Sequence, residues 1–274
     1  MESDLVLNTF RFDPGRITES TRNVCNHIRE NDAATQHVFG KAAEMRALEP
    51  PPAPHAEFIQ IQSREPGRLI PCRIVRPEAE DAVGVFLHFH GGGMSIGTHY
   101  MNDAYLQRLA NASCCVTLSV GYRLAPEYPF PEGIQDCFDV ADHLVKNATK
   151  EFGGPLNFIG GESAGAYLTV QTFFHLAGTN SKLETLKGLV LSYGAWSWSW
   201  LPSAYMPDTV CLDIRKLVTF SDLFIAEGAN NLPSLCDAFE SEYGTLASKE
   251  TCFDHNLKRP AVSPRLCGAT SRTW

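Results

Sequence analysis

Gly161-Glu162-Ser163-Ala164-Gly165 is the segment that decides the fold of this chain. It follows an apolar run at residues 156–160 and precedes a helix-like run at residues 164–176. A G-x-S-x-G pattern between a strand and a helix puts the serine on a sharp turn, where small neighbours let the backbone bend and keep the hydroxyl exposed. The pattern therefore predicts that Ser163 is a nucleophile. The alternative is a small serine at an ordinary tight turn.

A second glycine motif lies upstream, where His90-Gly91-Gly92-Gly93 follows the apolar run at residues 83–89. Acyl transfer to a serine needs backbone N–H groups that stabilise a developing oxyanion, and glycine allows the backbone to approach a substrate closely. We predict that these donors are the amides of Gly91, Gly92 and Ala164. A flexible turn or a phosphate-binding loop is the alternative, but the G-x-G-x-x-G order and the Lys-Ser/Thr pair of a P-loop are missing.

Strand-like and helix-like runs alternate through the middle of the chain. Residues 58–61 and 69–75 form a predicted hairpin, and the later strands and helices are predicted at residues 83–89, 100–110, 114–120, 131–145, 156–159, 164–176 and 186–191. This alternation predicts an α/β fold with a mostly parallel sheet that is covered by helices on both faces. Residues 17–48 predict one or two helices before a proline-rich connector at residues 50–54.

The rhythm is lost at residues 195–260, which predict an insertion packed over the sheet, with a helix-like piece at residues 214–226. Trp196, Trp198 and Trp200 alternate in this region. On a strand they would share one face, where they would either line an acyl pocket or pack between the insertion and the core.

Composition excludes several classes of protein. The 274 residues are 44% hydrophobic and carry a net charge of −8, so they favour a folded domain and disfavour nucleic acid as a partner. The first ten residues show no leader, and no apolar run approaches the roughly 18 residues of a spanning helix. Nine cysteines without a repeated spacing predict reduced thiols in the cytoplasm. We expect no metal site and no cofactor, because no H-E-x-x-H or paired C-x-x-C motif occurs.

The motifs together resemble those of the hormone-sensitive-lipase-like branch of the α/β-hydrolases. The resemblance rests on the segments at residues 90–93 and 161–165 and on Tyr122-Arg123-Leu124-Ala125-Pro126-Glu127 with the Pro-Phe-Pro that follows at residues 129–131. It implies a carboxylic ester hydrolase with Ser163 as nucleophile and an oxyanion hole, acting on a small ester or another apolar ligand. His90 would orient the loop, with Gly93, Gly161, Glu162 and Gly165 as supporting residues. Arg123 and Glu127 would form an internal ion pair or contact the substrate.

The resemblance also implies a division of the chain. Residues 1–54 would be cap helices with the connector, residues 55–195 the hydrolase core, residues 196–260 a cap insertion, and residues 261–274 a divergent tail. The family's acid and histidine follow a Ser-Pro-Leu-like segment, which Ser263-Pro264 begins, and the last ten residues depart from that pattern. We therefore expect the last strands of the fold and the triad Asp and His to be missing, and an exposed sheet edge would permit self-association.

One histidine follows Ser163 with acids between the two, as the family's chain order requires. This is His255, and the nearest acids are Asp208, Asp213, Asp222, Asp237 and Asp254. A relocated triad and an ordinary polar residue are the two interpretations of His255. His175 lies about three turns along the helix after Ser163 and is predicted to be out of reach. His88 and His99 flank the glycine loop and are predicted to be pocket-wall or surface residues.

Overall fold

A computed structural model of the chain describes residues 13–35, 40–49, 51–53, 56–78, 81–179, 183–194 and 212–225. The strands are β1 (Glu57–Gln62), β2 (Leu69–Val75), β3 (Val85–Phe89), β4 (Val116–Val120), β5 (Leu156–Glu162) and β6 (Gly188–Ser192). The helices are α1 (Glu19–Thr35), α2 (Ala42–Arg46), α3 (Asp103–Ser113), α4 (Glu132–Phe152), α5 (Ala164–Gly178) and α6 (Ile214–Phe224).

The strands form one six-stranded sheet in the order β1-β2-β4-β3-β5-β6. β1 and β2 are the predicted hairpin, and β2 also pairs with β4 in the antiparallel sense. The pairs β3–β4, β3–β5 and β5–β6 are parallel. The prediction of a mostly parallel sheet is therefore confirmed. Because Phe89 is in register with Gly161, the loop after β3 and the turn after β5 leave the same edge of the sheet side by side.

The central strands show why continuous apolar runs predict covered strands. Every residue of β3 and of β4 is buried, as expected when helices lie on both faces of a parallel sheet. Leu87, Phe89, Val116 and Leu118 are fully inaccessible to solvent. Burial of such side chains contributes about 1.5–3 kcal/mol each to folding, so this core fixes the strand ends on which the candidate site stands.

The helices agree with the predictions in kind, and they differ in length. Residues 17–48 contain two helices, α1 and α2. α4 continues to Phe152, seven residues beyond the predicted end at residue 145, because Ala148 and Phe152 extend its buried face. It ends at Gly153, whose φ of +83° is the left-handed conformation typical of a helix C-terminus.

A buried ionic cluster joins the β1–β2 hairpin to α4. The Asp136 carboxylate on α4 is fully buried and accepts two hydrogen bonds from Arg68, at 2.5 and 2.7 Å. Arg123 donates to the same carboxylate from its backbone N–H at 2.9 Å and from its guanidinium at 3.0 and 3.1 Å. This cluster ties the hairpin and the segment after β4 to one helix.

Several predictions fall outside the described residues. These are the tryptophans at positions 196, 198 and 200, the candidate acids Asp208, Asp237 and Asp254, His255, and the tail at residues 261–274. The domain boundaries at residues 54, 195 and 260 stay predictions. Within the described part of the chain, no helix is long and apolar enough to cross a membrane.

Candidate active site

Ser163 stands between the end of β5 and the start of α5, as the sequence pattern predicts. Its φ of +55° and ψ of −118° are strained for a residue with a side chain. The Ser163 N–H donates to the Ser192 carbonyl oxygen at the end of β6, at 2.9 Å, and the side chain is half-buried. The turn therefore presents the hydroxyl at the carboxyl edge of the sheet.

The glycines of this turn are required by close approach of the backbone. A Cβ built on Gly161 would lie 2.3 Å from the Phe89 carbonyl oxygen, and one on Gly165 would lie 1.9 Å from it. Real Cβ atoms do not come so close, so any larger residue would push β3 and α5 apart. The Ala at position 166, where the family often has glycine, is fully buried.

The glycine loop after β3 lies directly against the turn that carries Ser163. A Cβ built on Gly91 would lie 3.3 Å from Ser163 Cβ. Gly92 has a φ of +110°, and a Cβ there would lie 2.1 Å from the Ile96 carbonyl oxygen. Residues with side chains rarely adopt this backbone conformation, so the loop depends on glycine at position 92. The structure thus brings together the two motifs that the sequence singles out.

The backbone N–H groups of the loop differ in their hydrogen bonds. Gly91 is buried, and its N–H donates to Glu162 Oε1 at 3.0 Å. Gly92 and Gly93 are half-buried, and among the described residues nothing accepts a hydrogen bond from their N–H groups or from that of Ala164. The predicted donor role of Gly91 conflicts with its bond to Glu162, whereas the amides of Gly92, Gly93 and Ala164 remain available.

His90 contacts the glycine loop through a hydrogen bond and packs on Tyr122. Its Nδ1–H donates to the Gly91 carbonyl oxygen at 2.7 Å, and its ring stacks on Tyr122 with centroids 4.3 Å apart. The Tyr122 hydroxyl donates to the His90 carbonyl oxygen at 2.8 Å. Burial lowers the pKa of His90 to about 3, so the ring stays neutral. These contacts match an orienting role.

A buried polar chain beneath the site was not predicted. His88 lies in the core with 2% of its surface exposed, between Ser119 on β4 and Glu162 on β5. Its Nδ1 is 2.9 Å from Ser119 Oγ, and its Nε2 is 2.9 Å from Glu162 Oε2. The prediction that His88 is a pocket-wall or surface residue is wrong, because β3 is covered on both faces. The available signal was the position of His88 inside a continuous apolar run, which indicates a buried strand.

The Glu162 carboxylate is stabilised in its ionised form. Burial by itself would raise the pKa of Glu162, but the hydrogen bond and charge of His88 and the Gly91 N–H outweigh it. The pKa of Glu162 is therefore lowered from its ordinary value. A buried carboxylate stays ionised only when hydrogen-bond donors satisfy it, and Glu162 has two such donors.

No described histidine serves Ser163 as a base. Among the residues that the structure describes, none forms a hydrogen bond with Ser163 Oγ. His175 instead bonds to Asp142 through Nε2 at 3.0 Å and stacks on Phe138. His99 packs edge-on against Phe58 and Tyr100, and burial lowers its pKa to about 4.

Other predicted residues take structural positions. Asp213, one of the candidate acids, caps α6 by accepting from the Lys216 N–H at 3.0 Å. Arg123 pairs with Asp136, and it also pairs with Glu65 at 2.6 Å and Glu132 at 3.1 Å. Glu127 pairs with Arg46 at 2.6 Å. Arg123 and Glu127 therefore pair with different residues and not with each other.

α6 lies over the glycine loop. A Cβ built on Gly93 would lie 2.4 Å from the Phe220 ring, so the ring rests directly on the loop backbone. The Phe224 carbonyl oxygen accepts from the Phe130 N–H at 2.8 Å, which fixes the end of the helix. Across the described segments, no group of three or more His, Cys, Asp or Glu residues could hold a metal ion.

Comparisons with known proteins agree with this geometry. The family model described as the alpha/beta hydrolase fold matches residues 86–246, which include both glycine motifs. The chain belongs to this family. It is 34% identical over 244 residues to an arylesterase of Saccharolobus solfataricus, which covers 83% of this chain and 79% of the relative.

Two further relatives extend the comparison. The chain is 30% identical over 142 residues to the carboxylic ester hydrolase LipN of Mycobacterium tuberculosis, and this match spans 50% of the chain and 38% of LipN. A solved structure of a hyperthermophilic esterase from the archaeon Pyrobaculum calidifontis is similar with a TM-score of 0.63 and 26% identity. That similarity covers 80% of this chain and 74% of the esterase. All three relatives are esterases by name.

Proposed function

We propose that this chain is a carboxylic ester hydrolase that forms an acyl-enzyme on Ser163. The observation that carries the proposal is the contact between the strained serine turn and the glycine loop, with the hypothetical Gly91 Cβ at 3.3 Å from Ser163 Cβ. This arrangement sets a hydroxyl beside backbone N–H groups that have no partner among the described residues, and acyl transfer needs both of these groups as well as a base. The esterase relatives support the same reaction class.

The proposed reaction has two steps, acylation of Ser163 and hydrolysis of the acyl-enzyme. Ser163 Oγ forms a bond to the ester carbonyl carbon as its proton passes to a base, and the carbon–oxygen bond to the alcohol then breaks while the alcohol takes up a proton. Water next attacks the acyl group, which leaves as the carboxylic acid and restores the serine. No cofactor or metal enters either step. The substrate is a small-molecule ester, and the acyl-chain length stays open.

The oxyanion donors of the proposal are Gly92, Gly93 and Ala164. Gly92 and Ala164 agree with the sequence-based prediction, and Gly93 replaces Gly91 because the Gly91 N–H bonds to Glu162. Ala164 is the first residue of α5, so its N–H has no partner within the helix. Removal of one such donor typically lowers the rate 10²–10³-fold.

No described imidazole reaches Ser163 Oγ, because the described histidines bond elsewhere. Without a base the hydroxyl attacks slowly, and loss of a triad member leaves roughly 10³–10⁴-fold catalysis over water. We propose that this chain hydrolyses esters far more slowly than a relative with a complete triad.

Reduced thiols at Cys25, Cys72, Cys114, Cys115 and Cys137 fit a cytoplasmic location, which is part of the proposal.

A fluorophosphonate probe tests the nucleophile directly. We expect slow labelling that peptide mass spectrometry locates on Ser163 and that Ser163→Ala abolishes. Hydrolysis of short-chain nitrophenyl esters, measured beside the Saccharolobus arylesterase, tests turnover. Absence of labelling in folded protein, or labelling elsewhere, contradicts the nucleophile. A rate equal to that of the arylesterase and lost in Ser163→Ala contradicts slow turnover.

The missing contact to a base favours a second candidate function. A pocket that keeps its oxyanion donors but has no described base would bind a small apolar ester without cleaving it. Isothermal titration with nitrophenyl esters, followed by chromatography of the ligand, distinguishes the two functions. Micromolar binding with an intact ligand after many hours supports the non-catalytic candidate, and recovery of the free acid and alcohol supports hydrolysis.

A further inference from the structure

The residue before the nucleophile bonds to the glycine loop through its side chain. Glu162 Oε1 accepts from the Gly91 N–H at 3.0 Å, and Glu162 Oε2 lies 2.9 Å from His88 Nε2. We propose that Glu162 is a positioning residue that sets the orientation of the oxyanion loop, and that His88 holds its carboxylate in place. This inference rests on the proposed function.

The bonds of Glu162 connect three strands and the loop. Glu162 is the last residue of β5, His88 lies on β3 and Ser119 on β4. Since the Glu162 carboxylate only accepts, His88 Nε2 carries the proton and donates to it. Nδ1 of the same ring lies 2.9 Å from the Ser119 hydroxyl, which holds the ring from β4. The neighbouring strands therefore hold the carboxylate that in turn holds Gly91.

A carboxylate suits this position better than an amide. Both Glu162 oxygens face N–H donors, so a Gln would place its NH₂ group against one of them. Hydrogen bonds to an ionised acceptor are also shorter and stronger than neutral ones. With 7% of its surface exposed, Glu162 does not exchange these donors for water.

The bond matters because, among the described residues, it is the one that engages an N–H at the start of the loop, whereas His90, Ser95 and Ile96 bond to carbonyl oxygens of Gly91 and Gly92. Gly92 and Gly93 have φ values of +110° and +58°, and glycine backbones interconvert among many conformations. Fixing Gly91 at the start of the loop restricts the backbone of the next two glycines, whose N–H groups are the proposed donors. Displacement of a reacting group by about 1 Å can cost 10²-fold in rate, so a fixed loop is worth much to the reaction.

The test compares Glu162→Ala and Glu162→Gln with a matched control. Asp142→Asn removes the carboxylate of the His175–Asp142 pair, which has a similar nitrogen–oxygen distance of 3.0 Å and joins α4 to α5. We expect the rate of fluorophosphonate labelling at Ser163 to fall about 10- to 100-fold in Glu162→Ala and less in Glu162→Gln. Asp142→Asn should label within about twofold of the wild-type rate, because Asp142 bonds to His175 on α5 and not to the loop.

A second pair of variants tests His88. His88→Gln keeps an N–H donor that can reach Glu162, and His88→Leu removes it. We expect His88→Gln to retain most of the labelling rate and His88→Leu to approach Glu162→Ala. Rescue by the conservative variant is a result that simple loss of packing would not produce. If Glu162→Ala fails to fold, Glu162→Gln and His88→Leu decide the question.

Hydrogen exchange separates this inference from the proposed function. The Gly91 amide should exchange slowly in the wild-type chain and faster in Glu162→Ala, with the amides of β3 unchanged. Wild-type labelling rates in both Glu162 variants, or an unchanged Gly91 exchange rate, overturn the positioning role while Ser163 remains the nucleophile. Absence of labelling in the wild-type chain overturns the proposed function, and Gly91 exchange still tests the positioning role.

Discussion

Two buried carboxylates, Asp136 and Glu162, are satisfied in opposite ways. Asp136 is surrounded by the guanidinium groups of Arg68 and Arg123. Glu162 receives one hydrogen bond from the imidazole of His88 and one from the backbone N–H of Gly91. Burial alone therefore does not distinguish a structural acid from one at the candidate site, whereas the identity of the donors does.

The donors determine what each acid controls. The arginines of Asp136 reach from the β1–β2 hairpin and from the segment after β4, so this acid connects those two elements to α4. The backbone N–H that bonds to Glu162 belongs to the loop beside Ser163. Changes at Asp136 should appear as lost stability, and changes around Glu162 should appear mainly as lost reactivity.

Asp136→Asn should have the largest effect on stability. Removal of the charge leaves Arg68 without the carboxylate to which it donates twice. Breaking a buried ion pair on one side typically costs about 3–5 kcal/mol, and we expect the free energy of unfolding to fall by that amount in urea denaturation. The labelling rate of the folded fraction should stay within about twofold of wild type. A loss below about 1 kcal/mol contradicts the structural role.

The loop region should dominate the response to acid. His90 is neutral in the folded chain with a pKa of about 3, against 6.5 when unfolded, so the unfolded chain binds the extra proton between these values. Above pH 6.5 the burial of His90 carries no protonation penalty. As the pH falls from 6.5 toward about 3, the free energy of unfolding decreases because only the unfolded chain takes up the proton. At pH 5 this group alone should cost about 2 kcal/mol relative to pH 7.

His90→Asn isolates this effect, because the Asn amide can still donate to the Gly91 carbonyl oxygen. The difference in free energy of unfolding between pH 7 and pH 5 should be smaller in the variant by the amount given above. Denaturant titrations at both pH values measure it. Parallel pH curves for the wild-type and variant chains would show that His90 does not titrate as its burial indicates.

Ser119→Ala tests how far the polar chain beneath the loop extends. The substitution removes the hydroxyl that bonds to His88 Nδ1 and should lower the free energy of unfolding by about 1 kcal/mol. Labelling at Ser163 should fall by no more than a few-fold, since Glu162 keeps both of its donors. A loss as large as that of His88→Leu would place Ser119 inside the positioning unit.

Thr117→Val is the matched control for this substitution. Thr117 lies on the same strand, and its hydroxyl has no hydrogen-bond partner among the described residues. Removal of an unpaired buried hydroxyl should be neutral or slightly stabilising. Destabilisation equal to that of Ser119→Ala would mean that the strand responds to any change of shape, whatever the hydrogen bond.

The sequence predicted those features that depend on local spacing. The serine turn, the glycine loop and the alternation of strands and helices follow from backbone rules that act over a few residues, and all of them appear in the structure. The glycines at positions 161 and 165 could be predicted because the turn leaves no room for a Cβ. The extra turns of α4 were missed because they depend on contacts with the core.

The hydrogen-bond partners could not be predicted from spacing. His88 and Glu162 are 74 residues apart in the chain, and only the pairing of β3 with β5 brings them together. The same Glu162 carboxylate also accepts from the Gly91 N–H, which the family resemblance assigns to the oxyanion hole. A motif identifies which backbone groups are near the serine, and the tertiary structure determines which of them remain unpaired.

Glu127→Gln should have the smallest effect and resolves an alternative that the sequence left open. Glu127 pairs with Arg46 at 2.6 Å, and 48% of its side chain is exposed. Exposed ion pairs contribute about 0.2–1 kcal/mol, so the free energy of unfolding should fall by no more than that. The hydrogen bond from Arg46 lowers the pKa of Glu127, so this contribution is present above the unfolded pKa and is lost as the pH falls through the folded pKa.

If Glu127 contacted the ester instead, the substitution would raise KM for nitrophenyl esters at unchanged stability. Measurement of KM together with urea denaturation separates the two roles, and we expect a change in stability alone.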